Sequence, residues 1–168
     1  MLQTAGLLRA SEEPSTFSVW ALVMAAVIQG FVLQGFPEEL IFRGWQMTAF
    51  QTRAVAATVA SSTIFASIHL ISNGGQQNLA ERVMYLALPF GFAMTAGALM
   101  VVTRSLWAAV GVHGGVRVGF LVSALLGFGG GPALWLTVGA VYTALAVVLF
   151  MVARRHGQLD EVWAGPTR

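Results

Sequence analysis

The sequence predicts an all-α fold, a polytopic transmembrane helical bundle of about five membrane segments with a polar intramembrane cavity. Hydrophobic residues make up 57% of the chain and charged residues only 10%, a balance typical of membrane proteins. Several apolar runs reach the length of about 20 residues that crosses a bilayer. Glu38, Glu39 and Arg43 lie directly after the first run, where hydrocarbon is expected.

The apolar runs predict the spans in chain order, and polar or glycine-rich breaks separate them. The predicted spans are residues 17–36, 53–71, 83–102, 105–128 and 133–153. The breaks, whose composition is typical of loops, are residues 72–78, 103–104 and 127–132. Residues 37–50 follow the first span directly and also have a helical pattern. Pro37 suits a helical first turn and the acids after it suit the positive end of a helix dipole, which predicts a new or kinked helix there.

One membrane-embedded domain is predicted at residues 17–153, between an N-terminal flank at residues 1–16 and a C-terminal tail at residues 154–168. The absence of cysteine excludes disulfides, a thiolate nucleophile and a cysteine-bound metal. The net charge of +2 is small and scattered, which excludes a nucleic-acid surface. Arginines near the span ends favour a cytoplasmic C-terminus. We expect a multi-pass integral membrane protein of a bacterial-type cell membrane.

The acidic pair is the first candidate site, because an intramembrane carboxylate is costly unless it is paired or functional. Glu39 and Arg43 are four residues apart with the acid first, which favours an ion pair on one helix face. Glu38 is rotated by about 100° from Glu39 and stays free. The simpler alternative is a solvated helix start, at which both glutamates only cap and pair.

His69 joins this site if the chain turns near Arg53. Glu38 lies fifteen residues before that turn and His69 sixteen after it, so both are about 22–24 Å from it along their helices. Phe65 lies one turn before His69 and shares its face, where it would line the same pocket. The alternative is an interfacial or hydrogen-bonded histidine without a catalytic role.

The fourth span contributes a second histidine and a glycine stripe. Gly111, Gly115 and Gly119 recur every four residues, which predicts the close approach of another helix. His113 and Arg117 are also four residues apart and lie nearly opposite that stripe. In the alternative interpretation Arg117 snorkels or neutralises a glutamate, and His113 only hydrogen-bonds a backbone carbonyl.

Three ordered motifs carry a family resemblance. Glu38 to Arg43 match EExxxR, Phe65 to His69 match FxxxH, and Ser105-Leu106-Trp107 followed by His113 match a third signature, usually HxxxN or HxxxD. Together these motifs, within residues 35–117, resemble the CPBP intramembrane proteases. That group includes type II CAAX prenyl endopeptidases and bacteriocin-processing or immunity proteins.

The resemblance implies a glutamate-dependent intramembrane endopeptidase that hydrolyses a peptide bond of a membrane-associated protein or peptide. In that family's mechanism Glu38 corresponds to the general base that activates water, His69 to a residue that helps to orient and deprotonate this water, and His113 to the oxyanion stabiliser. Glu39 and Arg43 would support the site structurally. The expected partners are the lipid bilayer and a peptide or membrane-anchored substrate.

Arg117 departs from the family pattern, because it occupies the position that usually holds Asn or Asp. Its guanidinium either binds an oxyanion or pairs with Glu38 and lowers the basicity of that carboxylate. The second case leaves a catalytically impaired immunity or scaffold protein that binds a peptide in the same cavity. A small transporter would also place Glu, His and Arg within the bilayer.

No cofactor is expected. Glu38, His69 and His113 make up a donor set that suits zinc, with two histidines and one carboxylate, and members of the family are often labelled metalloproteases. The chain has no HExxH motif, and His69 and His113 lie on separate spans. The sequence therefore favours metal-free catalysis, and it does not indicate an oligomeric state or whether prenylated substrates are used.

Overall fold

The computed structural model describes residues 18–159 and 162–166. Within these ranges it contains five helices that are long and apolar enough to cross a membrane, which confirms the predicted all-α bundle. They are α1 (Val19–Ala49), α2 (Ala54–Ile71), α3 (Leu79–Thr103), α4 (Leu106–Leu125) and α5 (Pro132–Arg155). The predicted N-terminal flank at residues 1–16 lies outside the described residues, and the domain limits remain a prediction.

Helix α1 differs from its prediction, because it does not end at residue 36. It continues through Pro37 as one helix of 31 residues. Of the two predicted forms, a new helix or a kinked one, the new helix is therefore not observed. Glu38 and Glu39 lie inside a long helix, and the argument from the dipole at a helix start does not apply to them.

The hydrogen bonding of α1 explains how it accommodates proline. Two stretches, Ile28–Gly35 and Leu40–Gln46, are π-helical, so their N–H groups bond carbonyls five residues earlier. The Phe36 N–H bonds the Phe31 carbonyl in this way. Such local adjustments let transmembrane helices include proline, because the backbone groups that proline leaves unpaired find other partners.

Helix α3 is the central element of the bundle. In its most apolar stretch, 67% of the residues are buried inside the protein, whereas the corresponding share is at most 44% in the other four helices. It contacts α2, α4 and α5, whereas α1 packs mainly against α4. This order places the candidate residues of α2 and α4 beside α3, and those of α1 beside α4.

Helices α3 and α5 cross with their backbones in direct contact. A Cβ atom built on Gly91 would collide with the Gly139 carbonyl, and one built on Gly139 would collide with the Ala87 carbonyl. Only glycine permits this approach, because both obstacles are backbone atoms that cannot rotate away. The Thr95 hydroxyl stabilises the same crossing, because it donates a 2.6 Å hydrogen bond to the Tyr142 carbonyl.

We expect Gly139→Ala to destabilise the bundle by about 1–3 kcal/mol, the usual cost of overpacking a tight contact. Gly111→Ala is the matched control, because a Cβ at Gly111 meets no atom within 4 Å and alanine favours the helix. Thermal unfolding in detergent micelles measures both variants. Equal midpoints for the two would contradict the close α3–α5 crossing.

The glycine stripe of α4 does not pack as predicted. Added Cβ atoms at Gly111, Gly115 and Gly119 all meet open space within the described residues. The approach to α1 instead uses Gly114, where a Cβ would collide with the Phe31 ring. The physical reason is that α1 lies on the face of α4 that carries His113, so the stripe turns away from the bundle.

Residues 162–166 pack back onto the side of the bundle where α1, α3 and α5 end. Trp163 is only 3% exposed, and its backbone N–H donates to the Thr52 carbonyl at 2.9 Å. Val162 forms an isolated antiparallel bridge with Arg53, and the Arg104 guanidinium carbon lies 4.9 Å from the Trp163 ring centroid. These contacts confirm that Arg53 and Arg104 share one side, while the orientation of that side in the membrane remains a prediction.

Candidate active site

Glu39 and Arg43 form a fully buried ion pair within α1. The Arg43 Nη1 donates to Glu39 Oε1 at 3.1 Å, and Arg43 Nε lies 3.1 Å from Glu39 Oε2. The guanidinium carbon also lies 5.0 Å from the centroid of the Phe65 ring. The four-residue spacing predicted this pair. Its complete burial makes each charge dependent on the other.

His113 reaches both glutamates because α4 lies so close to α1. Its Nδ1 lies 2.9 Å from Glu39 Oε1, and its Nε2 lies 3.8 Å from Glu38 Oε2. The ring is nearly completely buried. The ring nitrogens of His113 therefore face two carboxylates, and not a backbone carbonyl as in the alternative interpretation.

The partners of His113 determine which of its nitrogens carries a proton. Glu39 also accepts from Arg43 and is ionised in that pair, so its oxygen accepts a hydrogen bond from His113 Nδ1–H. A singly protonated His113 then has a lone pair on Nε2, directed towards Glu38. Only the doubly protonated ring has an Nε2–H that is able to donate to an oxyanion.

Glu38 is the more accessible of the two acids. Its side chain is 25% exposed, whereas that of Glu39 is fully buried. Within the described residues its Oε2 is buried and has no hydrogen-bond partner. A buried carboxylate oxygen without a protein partner is a position for water or substrate.

His69 lies at the end of α2, in the short 3₁₀ turn His69–Ile71. Its Nδ1 is 2.8 Å from the Phe65 carbonyl, and because a carbonyl only accepts, Nδ1 carries the hydrogen. The neutral ring therefore has its lone pair on Nε2. The Phe65 ring adjoins both histidines, at 4.7 Å from His69 and 6.2 Å from His113 between centroids. In the part of the chain that the structure describes, no hydrogen bond or ion pair joins His69 to Glu38.

Arg117 is half-buried on α4, one turn beyond His113. Space for its stem comes from Gly30 of α1, where a Cβ would lie 2.9 Å from the Arg117 Cβ. Its charge interacts electrostatically with Glu38 and His69. No salt bridge joins it to Glu38 within residues 18–159 and 162–166, so Arg117 does not capture that carboxylate directly.

A family model described as type II CAAX prenyl endopeptidase Rce1-like matches residues 16–119. The match covers well over half of the chain. The chain belongs to the Rce1-like family of type II CAAX prenyl endopeptidases. No curated protein and no solved structure matched the chain.

Membership of the Rce1-like family confirms the resemblance to the CPBP proteases and identifies the chain as a member of a peptidase family. With five apolar helices, the protein is a multi-pass integral membrane protein. The matched range contains Glu38, His69, His113 and Arg117, whereas α5 and the tail with Trp163 lie beyond it.

Zinc is the metal that the donor set Glu38, His69 and His113 of this Rce1-like protein would suit. Among the described residues, no group of three or more His, Cys, Asp or Glu side chains is placed to hold a metal ion. Glu38 and His113 approach each other, but His69 does not complete a three-ligand set with them. A catalytic zinc centre needs three protein ligands around one point, and metal-free catalysis remains a prediction.

Tyr85 lies beside His69, and no motif of the sequence marks it. Its ring centroid lies 6.3 Å from that of His69 and 5.3 Å from that of Trp135 of α5. It also interacts electrostatically with Arg117. A polar aromatic residue in the third predicted span was the available signal, but its position beside His69 depends on how α3 packs against α2.

Proposed function

We propose that this Rce1-like protein is an intramembrane glutamate-dependent endopeptidase that cleaves a membrane-associated protein or peptide. One observation supports the proposal most directly. The Glu38 carboxylate has a buried oxygen without a hydrogen-bond partner in the described residues, and that oxygen lies 3.8 Å from His113 Nε2. A carboxylate so placed is available to take a proton from water.

The reaction begins with a water that hydrogen-bonds Glu38 Oε2. As the water oxygen forms a bond to the carbonyl carbon of the substrate, Glu38 accepts the water proton. His69 Nε2, which has a lone pair, accepts a hydrogen bond from the same water and orients it. The product of this step is a tetrahedral intermediate with a negatively charged oxygen.

The intermediate then collapses to the two peptide products. His113 in its doubly protonated form donates Nε2–H to the oxyanion, while Nδ1–H stays on Glu39. Such an interaction is strong in a site from which water is largely excluded. The carbon–nitrogen bond breaks, and the proton held by Glu38 passes to the leaving nitrogen. Glu38 is thereby returned to its carboxylate form.

Glu39 and Arg43 act as positioning residues in this proposal. The ion pair fixes the Glu39 carboxylate, and that carboxylate in turn fixes the ring of His113 by the 2.9 Å contact to Nδ1. Phe65 contributes by packing beside both histidines and the Arg43 guanidinium.

The proposed reaction uses no metal. We expect peptide cleavage by the purified protein to survive exhaustive chelation with EDTA and 1,10-phenanthroline, and to be unchanged when zinc is added back. The physical reason is that the Glu38 carboxylate supplies the base and His113 supplies the donor to the oxyanion, so no step of the proposed reaction needs a metal ion. Loss of activity on chelation, followed by rescue with zinc, would overturn this part of the proposal.

The proposed function is tested by mass spectrometry of membrane peptides from cells that contain either the native chain or Glu38→Gln. We expect a set of new peptide termini that depends on Glu38. Equal peptide profiles, together with retention of a bound peptide on the purified protein, would instead favour the immunity or scaffold function. Ion or proton flux in liposomes without any cleavage would favour the transporter.

A further inference from the structure

Gln34 of α1 has a buried side-chain oxygen without a partner. Within residues 18–159 and 162–166, its Oε1 has no hydrogen-bond partner. Burial of an amide oxygen without a hydrogen bond is costly, so such an atom in a native protein indicates a ligand group or a water that completes it. Gln34 belongs to none of the three family motifs, and the proposed reaction does not use it.

Gln34 lies on the face of α1 that borders the candidate site. Gln34, Glu38 and Phe42 are spaced four residues apart, which places them in one row along the helix. Glu38 Oε2 lies 3.8 Å from His113 Nε2. The Phe42 ring packs edge-on against Phe65 with 5.0 Å between centroids, and Phe65 adjoins both histidines of the site. Gln34 is therefore the neighbour of the proposed base in this row.

The packing of α1 differs on the two sides of Glu38. The stretch Leu40–Gln46 contacts both α2 and α4, whereas Ile28–Gly35 packs mainly against α4. Gln34 is only partly buried, so its amide can turn towards a ligand that enters beside Glu38. Because α2 covers the other side, a peptide reaches Glu38 more readily from the side of Gln34.

The row contains a second amide with a buried, unpartnered oxygen, and this one lies apart from the base. Gln46 is four residues beyond Phe42, and its Oε1 also has no partner in the described residues. The Phe42 ring and its contact with Phe65 separate Gln46 from Glu38. Gln34 thus combines an unpartnered oxygen with a position directly beside the base.

We propose that Gln34 binds the backbone of the substrate, with its Oε1 accepting a hydrogen bond from a peptide N–H close to the cleaved bond. The inference rests on the proposed function, because it assigns a substrate contact beside the proposed base. An amide oxygen accepts from any peptide N–H, so this contact orients the chain without selecting a side chain. Glu38 then acts on the water while Gln34 holds the backbone.

The distance along α1 limits which N–H reaches Gln34. Gln34 is one helical turn from Glu38, a rise of about 6 Å for four residues. An extended peptide covers about 3.3–3.6 Å per residue. The N–H that Gln34 accepts therefore belongs to a residue within about two positions of the cleaved bond.

Backbone esters test the inference by binding in the Glu38→Gln background, without cleavage. The probe is an NBD-labelled, palmitoylated octapeptide in nanodiscs, Ala-Leu-Val-Phe-Ala-Ile-Val-Leu carboxamide. A series of analogues replaces one backbone N–H at a time by an ester oxygen, which removes the donor with little change of shape. We expect at least one ester to bind about 5-fold to 50-fold more weakly than the all-amide peptide.

The penalty for that ester should depend on Gln34. When Gln34→Met is added to Glu38→Gln, we expect the ester and the all-amide peptide to bind equally, because a thioether is only a weak acceptor. Gln46→Met in the same background is the matched control and should keep the penalty. The inference is overturned by a penalty that Gln34→Met leaves unchanged, by its loss in Gln46→Met, or by no binding of the all-amide peptide.

A purely structural role of Gln34 would give a different result. Gln34→Met would then lower the thermal unfolding midpoint and weaken the binding of the amide and of every ester alike, which would also overturn the inference. We expect the midpoint to stay within error of the native value, because Oε1 has no hydrogen bond in the described residues to lose.

The two proposals fail in different ways in these experiments. If the native chain cleaves no membrane peptide but the ester penalty still depends on Gln34, the proposed function fails and the backbone contact stands. If Glu38-dependent cleavage occurs but no ester distinguishes the proteins with and without Gln34, the backbone contact fails and the peptidase stands.

Discussion

Glu38→Gln is expected to reduce kcat/KM for peptide cleavage by about 10²–10⁴-fold, the usual contribution of a general base. The amide has nearly the same shape as the carboxylate but cannot take a proton from water. The native carboxylate oxygen Oε2 has no hydrogen-bond partner in the described residues, so the substitution breaks no bond of the fold. The thermal unfolding midpoint should therefore stay within error of the native value.

Glu81→Gln is the matched control for Glu38→Gln. It makes the same chemical change at the start of α3, where Glu81 bonds the Gln77 N–H and the Asn78 side chain. We expect this variant to retain cleavage. If Glu38→Gln cleaves a membrane-anchored peptide as fast as the native chain, Glu38 is not the base.

Glu39→Gln is expected to have the largest effect on stability, about 3–5 kcal/mol, because it leaves the Arg43 charge buried without its counter-ion. Both side chains are fully buried, and the pair has two 3.1 Å contacts. Cleavage should fall as well, because His113 loses the acceptor that fixes its ring. Chemical denaturation and thermal scans in micelles measure the first effect, and kcat measures the second.

A double substitution separates the two effects of Glu39. Glu39→Leu combined with Arg43→Met removes both charges and keeps similar volume, which often restores stability when a buried ion pair is replaced. We expect the double variant to unfold near the native midpoint but to remain poorly active. If its activity recovers together with its stability, Glu39 serves only to neutralise Arg43 and does not position His113.

Hydropathy predicted the spans well because polar groups are costly in hydrocarbon. Each span must therefore be apolar in its own sequence, whichever helices it packs against. Every predicted span overlaps one observed helix, and most ends agree within a few residues. The error at Pro37 has a different origin. Proline ordinarily ends a helix, and the π-helical hydrogen bonds that allow α1 to continue have no reliable signature in the sequence.

The prediction for the glycine stripe failed because a pattern on one helix does not specify its neighbour. Spacing showed that Gly111, Gly115 and Gly119 lie on one face of α4. It did not show that α1 would instead approach through Gly114 and the Phe31 ring. The burial of Trp163 against the bundle was also missed, because it depends on contacts between the tail and a loop more than one hundred residues earlier.

The sequence by itself determined the class of protein, the number of spans, the family motifs and the Glu39–Arg43 pair, because each depends on composition or on spacing within one helix. Only the tertiary structure decided that His113 contacts both Glu38 and Glu39. It also decided that Glu38 Oε2 has no hydrogen-bond partner and that Arg117 forms no salt bridge with Glu38 within the described residues. These relations depend on how closely α4 approaches α1. That distance is set by the small residues of both helices and by the ring of Phe31, which no single segment reveals.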